Sequence, residues 1–334
     1  MGGVFSVPSW PAALAEANGF PLNLAKSNAP GDAHVSRSWP KLTVVTPSFN
    51  QAAYLEEAIC SVLQQGYPNL EYIIIDGGSQ DGSKRILQTY ARFVSFWCSE
   101  KDRGQAHAIN KGLSRATGEF FNWINSDDRL APGALFEVGR RLGDADLVAG
   151  ACLNFDEQGH QTPIVNSGLT LKGLLGGSQD SVFHQPGLWW RRDWLQKCHG
   201  LEEGFDLAFD YDLLLRYLAL GPRVVYTPQV LAHFRLHPAS KTCSRVPDYA
   251  PERERILVRL AATAASRPLR RGSRRRVRQL RWWREVQQAL GQARASRWRA
   301  VAKLALGTAA DPFVRVNRFT LGAIRKALSR ELSA

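Results

Sequence analysis

The aspartates of this 334-residue chain fall where strands end and helices begin, and those positions limit what their carboxylates can do. Phe120-Phe121-Asn122-Trp123-Ile124 is an apolar run of strand length that ends in Asn125-Ser126-Asp127-Asp128. In an open α/β sheet, ligands collect just past the carboxyl ends of the strands. Two acids at such an end, with Asn125 beside them, make a hard-oxygen site suited to Mg²⁺ or Mn²⁺. The same pair also reads as a turn and an N-cap for a helix opened by Pro132. A second strand end carries Asp76-Gly77-Gly78-Ser79-Gln80-Asp81-Gly82. That segment is not G-x-G-x-x-G, and no G-x-x-x-x-G-K-[ST] occurs anywhere in the chain. An acid at the strand end would repel a pyrophosphate placed against it. It suits accepting the imide N–H of a uracil or thymine, or a ribose hydroxyl. The structural alternative is that Asp76 and Asp81 shape an Asx turn. Asp210 lies in the first turn of a leucine-rich helix, where an acid needs no functional reason.

Holding these groups at one edge requires strands that alternate with helices. Lys41 to Pro47 is a β-branched strand stopped by proline, and a helix follows over about 53–65 with Leu55, Ile59, Val62 and Leu63 on one face. Glu71 to Ile75 is a continuous apolar run of the kind covered on both sides in a parallel sheet. Helices are predicted near 84–90, 106–116 and 135–142, with strands over 93–98 and 145–152. This alternation predicts an α/β, mostly parallel sheet with its ligand edge at the strand ends.

Four segments in this order, Thr46 to Asn50 (TPSFN), Ile73 to Ser83 (IIIDGGSQDGS), Asp102 to Gly112 (DRGQ-x-x-AINKG) and Trp123 to Asp128 (WINSDD), resemble inverting family-2 glycosyltransferases of the GT-A fold. The resemblance covers roughly residues 40–245. It implies a Rossmann-like GT-A domain that binds a nucleoside-diphosphate sugar, a uridine diphosphate sugar by default, with Mn²⁺ or Mg²⁺. Asp76 would contact the base, with Pro47, Ser48 and Asn50 lining the same pocket. Asp102, Arg103 and Gln105 sit where the family tends to contact nucleotide or sugar. Asp127 and Asp128 match the D-x-D metal motif, with Asn125 at its first position. Asp210 matches the acid that acts as general base toward the acceptor hydroxyl; Phe209 stands where a second acid is common, and Asp212 is the nearest substitute.

Further along, Phe183 to Arg192 resembles the segment leading into the acceptor pocket, where Trp189 and Trp190 either stack on a sugar or belong to the core. Gly168 to Gln179 reads as a candidate loop over the site. Arg235 to Thr242 resembles the closing R-x-H-x-x-S-x-T, which would bring His237 to the metal or diphosphate and Lys241 to leaving-group charge. The implied chemistry is a single displacement with inversion. Such an enzyme would act on a glycan or lipid-linked acceptor in making a cell-surface polysaccharide or lipopolysaccharide.

Composition sets the rest. A hydrophobic fraction of 44% supports a real core. Five scattered cysteines without a C-x-x-C pair argue for a reducing compartment and against a structural zinc site. Met1 to Trp10 lacks a basic region followed by an apolar core, so no signal peptide is expected, and no apolar run is long enough to span a bilayer. The net charge of +13 is uneven: from Arg267 onward there are 18 Lys and Arg against three acids. Three parts are therefore expected: an N-terminal extension over 1–40, the GT-A domain over 41–250, and a basic amphipathic helical tail over 251–334. Within the tail, Leu280, Trp283, Val286, Leu290, Val301 and Leu304 recur at near-helical spacing, and a second stretch runs from Phe313 to Leu332. Trp282, Trp283 and Trp298 among arginines suit a membrane interface. Packing on the catalytic domain is the competing reading, and a nucleic-acid arm the least favoured. The expected location is cytoplasmic, peripheral on an anionic membrane face. The missing glycine fingerprint disfavours an oxidoreductase, and the intact aspartates disfavour an inactive nucleotide-sugar-binding or scaffold protein.

Overall fold

The computed structural model describes residues 38–176, 181–292, 297–310, 320–321 and 323–325. The expected N-terminal extension, with its short helix near Ala12 to Ala17, lies almost wholly outside the described residues, as does most of the stretch from Phe313 to Leu332.

The first half alternates as its apolar pattern requires. Strand β1 (Leu42–Ser48) is followed by α1 (Ala52–Leu63), β2 (Leu70–Asp76), α2 (Ser83–Tyr90), β3 (Phe96–Ser99), α3 (Gln105–Arg115) and β4 (Phe120–Trp123). Every residue of β1 is buried, because helices cover both faces of this part of the sheet. β1 pairs in parallel with β2 on one side and β4 on the other, and β2 pairs in parallel with β3. The order β3-β2-β1-β4 reverses direction at β1, which opens a crevice beyond the carboxyl ends of β1 and β4. Close approach of α3 to β1 depends on Gly112, where a Cβ would stand 2.6 Å from the Val45 methyls.

The second half is mixed. After β5 (Arg129–Leu130) and α4 (Ala134–Arg141) come β6 (Leu147–Asp156), β7 (Gln161–Val165), α5 (Leu171–Gly176), β8 (Leu188–Arg191), α6 (Arg192–Lys197), α7 (Phe209–Leu218) and β9 (Val224–Leu236). β8 joins the halves antiparallel to β4 and β6, while β6 and β9 run parallel. At 13 residues β9 is the longest strand described, yet the sequence pattern does not announce it, because Pro228 interrupts the run. The register between β6 and β9 shifts between Ala149 and Ala151, and this irregularity accommodates the proline. Trp189 and Trp190 are fully buried in β8, and Trp190 stacks on Trp123 at 6.3 Å, so both belong to the core. The expected loop over the site is instead partly α5, whose Leu174 and Leu175 join the core; residues 177–180 lie outside the described set.

The expected domain end at residue 250 has no counterpart in the packing. Short α8 (Lys241–Ser244) leads into α9 (Val246–Thr263) and α10 (Arg267–Gln292). Ile256, Leu257, Leu260, Leu269 and Val277 lie in the same apolar core as Leu213, Leu214 and Trp123. Arg259 ion-pairs with Asp212, which is wholly buried and also held by Arg216 at 2.8 Å. Farther out, Trp282, Val286 and Ala289 form a small separate core with Leu304 of α11 (Arg297–Ala310) and with Ala323. The periodicity placed Trp283 on the inner stripe; the structure puts Trp282 inside, hydrogen-bonded to Thr320, and leaves Trp283 42% exposed. Among the described residues, no helix is long and apolar enough to cross a membrane.

Candidate active site

A cleft of about 1100 Å³ opens at the strand ends. Its floor comes from the residues that terminate β1, β2 and β4, and its far wall from α7, α8 and α9. Of the residues singled out in the sequence, Pro47, Ser48, Asp102, Gln105, Asp127, Asp210 and Lys241 line it.

The Asp127 turn is held from several directions. Asn125 accepts from Gln105 Nε2 at 2.7 Å and donates to Asp128 at 3.1 Å. The Asp127 carboxylate faces the cleft and lies 3.1 Å from His237 Nε2. His237 itself is buried beside Tyr54, with ring centroids 4.8 Å apart, and does not line the cleft. Asp128 turns the other way. It is buried, and its carboxylate accepts the backbone N–H of Arg235 at 3.0 Å. Burial, with Asp127 next to it, holds its pKa well above the usual carboxylate range. The Arg235 guanidinium also donates to the Asp127 carbonyl at 3.0 Å and pairs with Glu57, so backbone and side chain of one residue tie both acids of the turn. Neither acid caps the next helix: that position belongs to Gly133, at φ +76°, and Pro132 precedes it.

Asp76 is fully buried beneath the cleft. Its carboxylate accepts from Ser79 N–H at 2.9 Å, Ser79 Oγ at 2.5 Å, Gly78 N–H at 3.2 Å and Ser99 Oγ at 2.7 Å. Those bonds shape the glycine-rich turn. Asp81 likewise works within the scaffold, accepting Ala52 N–H at the start of α1 at 2.8 Å and both donors of Ser83. Asn50, at φ +51°, joins the two turns: its N–H reaches Ser79 Oγ and its side-chain oxygen accepts Gln80 N–H. In this region Phe49, 60% accessible, and the Gly77-Gly78 pair line the cleft. A Cβ on Gly77 would meet the Asp102 carboxylate at 2.8 Å, so glycine lets the two turns close on each other. Ser48 Oγ is buried without a hydrogen-bond partner at this edge of the cleft. Arg103 points away, to an exposed ion pair with Glu203.

On the opposite wall, Asp210 sits at the second position of α7, partly buried and facing the cleft. Burial pushes its pKa up to about 6, against the N–H of Tyr211 and the charge of Arg253, which favour the anion. Asp212 is out of reach in its arginine pairing. The approach to α7 is held by a residue from outside the expected domain: the buried Glu252 carboxylate accepts the N–H groups of Asp206, Leu207 and Ala208 at 2.6–2.8 Å. Lys241 lines the cleft while paired with Asp206 at 2.6 Å. Gln185, also in the wall, donates to Asn122 and to the Trp123 carbonyl, tying β4 to the segment before β8. Glu252, Gln185 and the tie made by Arg235 were not assigned from sequence. Arg235 stands in a motif that could have pointed to it, whereas nothing local marks Glu252.

The residues present suit a hard divalent ion in one way only. Among the described residues, no three His, Cys, Asp or Glu side chains converge as a cage. Asp127, with Asn125 and His237 adjacent, offers the one-carboxylate arrangement that Mg²⁺ or Mn²⁺ completes with substrate phosphates.

A mixed sheet with its parallel part ending in an acid-lined cleft defines a GT-A-like α/β fold. Residues 43–198 match the family model described as Glycosyl transferase family 2. It is 27% identical over 212 residues to an uncharacterized glycosyltransferase of Rickettsia typhi, covering 61% of this chain and 66% of that one. It is 34% identical over 119 residues to the GalNAc(5)-diNAcBac-PP-undecaprenol beta-1,3-glucosyltransferase of Campylobacter jejuni, covering 34% of this chain and 38% of the relative. The chain thus spans just under two thirds of the first relative and well under half of the second. Among solved structures, the mannosyltransferase PcManGT of Pyrobaculum calidifontis, in complex with GDP-Man and Mn²⁺, superposes with a TM-score of 0.55 over 87% of this chain and 84% of that one, at 18% identity.

Proposed function

We propose that this chain transfers a sugar from a nucleoside-diphosphate sugar, with inversion, to a hydroxyl of a glycan or lipid-linked acceptor. The observation that carries the reading is one cleft lined both by the Asp127 turn and by Asp210. In the proposed step, Asp210 takes the proton of the acceptor hydroxyl as its oxygen bonds to the anomeric carbon. The bond from that carbon to the diphosphate oxygen breaks, and the nucleoside diphosphate leaves. Phe49 and the Gly77-Gly78 backbone offer the base a flat face, and the partnerless Ser48 hydroxyl offers a polar contact. A divalent ion at Asp127, with Asn125 and His237 alongside, would neutralise charge growing on the leaving diphosphate. Lys241 would assist if its pairing with Asp206 loosens.

Titration calorimetry with UDP, TDP and GDP, with and without Mn²⁺, tests this reading. One diphosphate is expected to bind in a Mn²⁺-dependent way, with affinity reduced at least about tenfold in Asp127→Ala. No binding of any diphosphate under either condition would return these aspartates to being turn formers. Binding without turnover on any acceptor would instead favour an inactive sugar-binding protein.

The relative named for an undecaprenol-linked substrate and the basic C-terminal helices support a peripheral membrane location. Trp283, exposed between the exposed Arg281 and Arg284, has the composition of an interfacial contact. Each basic residue near an anionic surface adds about 1 kcal/mol. Co-sedimentation is expected with vesicles containing phosphatidylglycerol and not with phosphatidylcholine alone; equal binding to both, or to neither, would remove this part.

A further inference from the structure

His184 lines the cleft, and the chain holds both its backbone and its ring in place. The buried Asn166 side chain clamps the backbone: its oxygen accepts the His184 N–H at 2.5 Å, and its amide donates to the His184 carbonyl at 3.2 Å. Asn166 is itself anchored by donating to the Gly150 carbonyl at 2.7 Å. Gly187 leaves room for the clamp, since a Cβ there would stand 2.7 Å from the Asn166 amide. The imidazole meets Phe234 edge to face, with ring centroids 4.5 Å apart. Chain neighbours place this ring between the two acids. Phe183 stacks at 6.2 Å on Tyr211, the residue after Asp210. Arg235, the residue after Phe234, ties the Asp127 turn.

The two ring nitrogens differ. Nδ1 is buried and has no hydrogen-bond partner among the described residues, which leaves Nε2 to the cleft. A proton on Nε2 can find an acceptor there that one on Nδ1 cannot. Burial holds the ring's pKa down to about 4, so at neutral pH it is uncharged and offers a single N–H. A neutral donor suits a hydroxyl or amide oxygen, whereas a diphosphate is better met by a cation.

We propose that His184 Nε2 donates a hydrogen bond to an oxygen of the sugar being transferred and so selects among nucleotide sugars. This rests on the transferase reading, in which that sugar lies between an ion at Asp127 and the base Asp210. A site built to pair with one oxygen rejects a sugar that places it elsewhere, because the site's own polar group is then left unpaired.

The test is titration calorimetry with Mn²⁺ present, comparing UDP, TDP and GDP with UDP-glucose, UDP-galactose, UDP-N-acetylglucosamine, TDP-glucose and GDP-mannose. The wild type is expected to bind one nucleotide sugar in preference to the others that share its nucleotide or to its bare diphosphate. His184→Phe keeps a ring against Phe234 and removes the donor. It should lower affinity for the preferred nucleotide sugar about three- to tenfold and leave the bare diphosphate unchanged. His184→Gln, which can return an N–H to the Nε2 position, should recover most of the loss. An equal loss for the bare diphosphate would mean a phosphate contact or a disturbed fold and overturns the proposal. Unchanged sugar binding in His184→Phe, or a glutamine variant no better than phenylalanine, overturns it as well. A measurement without variants covers the case in which His184→Phe fails to fold. With Mg²⁺ in place of paramagnetic Mn²⁺, the ¹⁵N signals of the His184 ring should report the Nε2–H tautomer and shift with the nucleotide sugar but not with the diphosphate alone; the same shift with both refutes the contact. Failure of the transferase reading appears separately, as absence of nucleotide binding to the wild type.

Discussion

Asp210 and Asp212 stand two residues apart in one helix and have opposite surroundings. Asp212 is locked between Arg216 and Arg259, while Asp210 faces the cleft with its pKa lifted to about 6 by burial. A general base must be unprotonated to act, so kcat/KM is expected to fall on the acid side through about pH 6 and to level off above it. Asp210→Asn should lower kcat by about 10²- to 10⁴-fold while UDP still binds; an unchanged acid limb, or a variant with near-normal turnover, would remove Asp210 from the role. Sequence placed this residue in the first turn of a helix, where the structure has it; an acceptor-side role is what the resemblance implies. Strand ends were also legible, but the direction of each side chain within a turn was not. Asp76 and Asp128 point down into hydrogen bonds with Ser79, Ser99 and Arg235, and Arg103 points out to Glu203. Each of those directions depends on partners distant in the chain.

At the scale of elements, the parallel half was readable because its strands are unbroken apolar runs with turn residues at their ends. β9 was not, since Pro228 breaks its pattern and only the register shift against β6 makes room for it. The far end of β1 and β2 carries its own polar fastening. Glu71 accepts from Thr43, Thr117 and Lys41, and these bonds outweigh burial to leave its pKa at about 2. Its folded value lies below its ordinary one of about 4.5, so the stability it contributes is complete above that pH and lost as pH falls toward 2. The linkage amounts to roughly 3 kcal/mol at neutral pH. Denaturant titration is expected to show Glu71→Gln destabilised at pH 7, with most of its deficit gone by pH 2–3. A deficit independent of pH would mean that packing rather than charge is responsible.

For the molecule as a whole, the sequence shows a charge break near residue 267 and suggests a basic helical tail over 251–334, facing a membrane or packed on the domain before it. The packing puts α9 and the first part of α10 into the same apolar core as α7 and the sheet. Charge counts record which residues are basic; they do not record that Ile256, Leu257 and Leu260 lie against α7 or that Glu252 reaches the loop before it. Glu252→Ala removes the acceptor for three backbone N–H groups, two of them on buried residues, a loss on the order of 3 kcal/mol or more. Thermal melting should record that loss, and turnover should fall with it because Asp210 follows directly on the released segment. A variant with wild-type melting and full activity would show the clamp to be dispensable.

That clamp also sets an order in time. Glu252 is added to the growing chain 44 to 46 residues after the groups it holds. At about 5–20 residues per second, a nascent chain carries Asp210 for several seconds before the carboxylate that anchors the preceding segment exists. All the motifs that resemble the family are synthesised first, and the residue that anchors the segment before α7 follows after them.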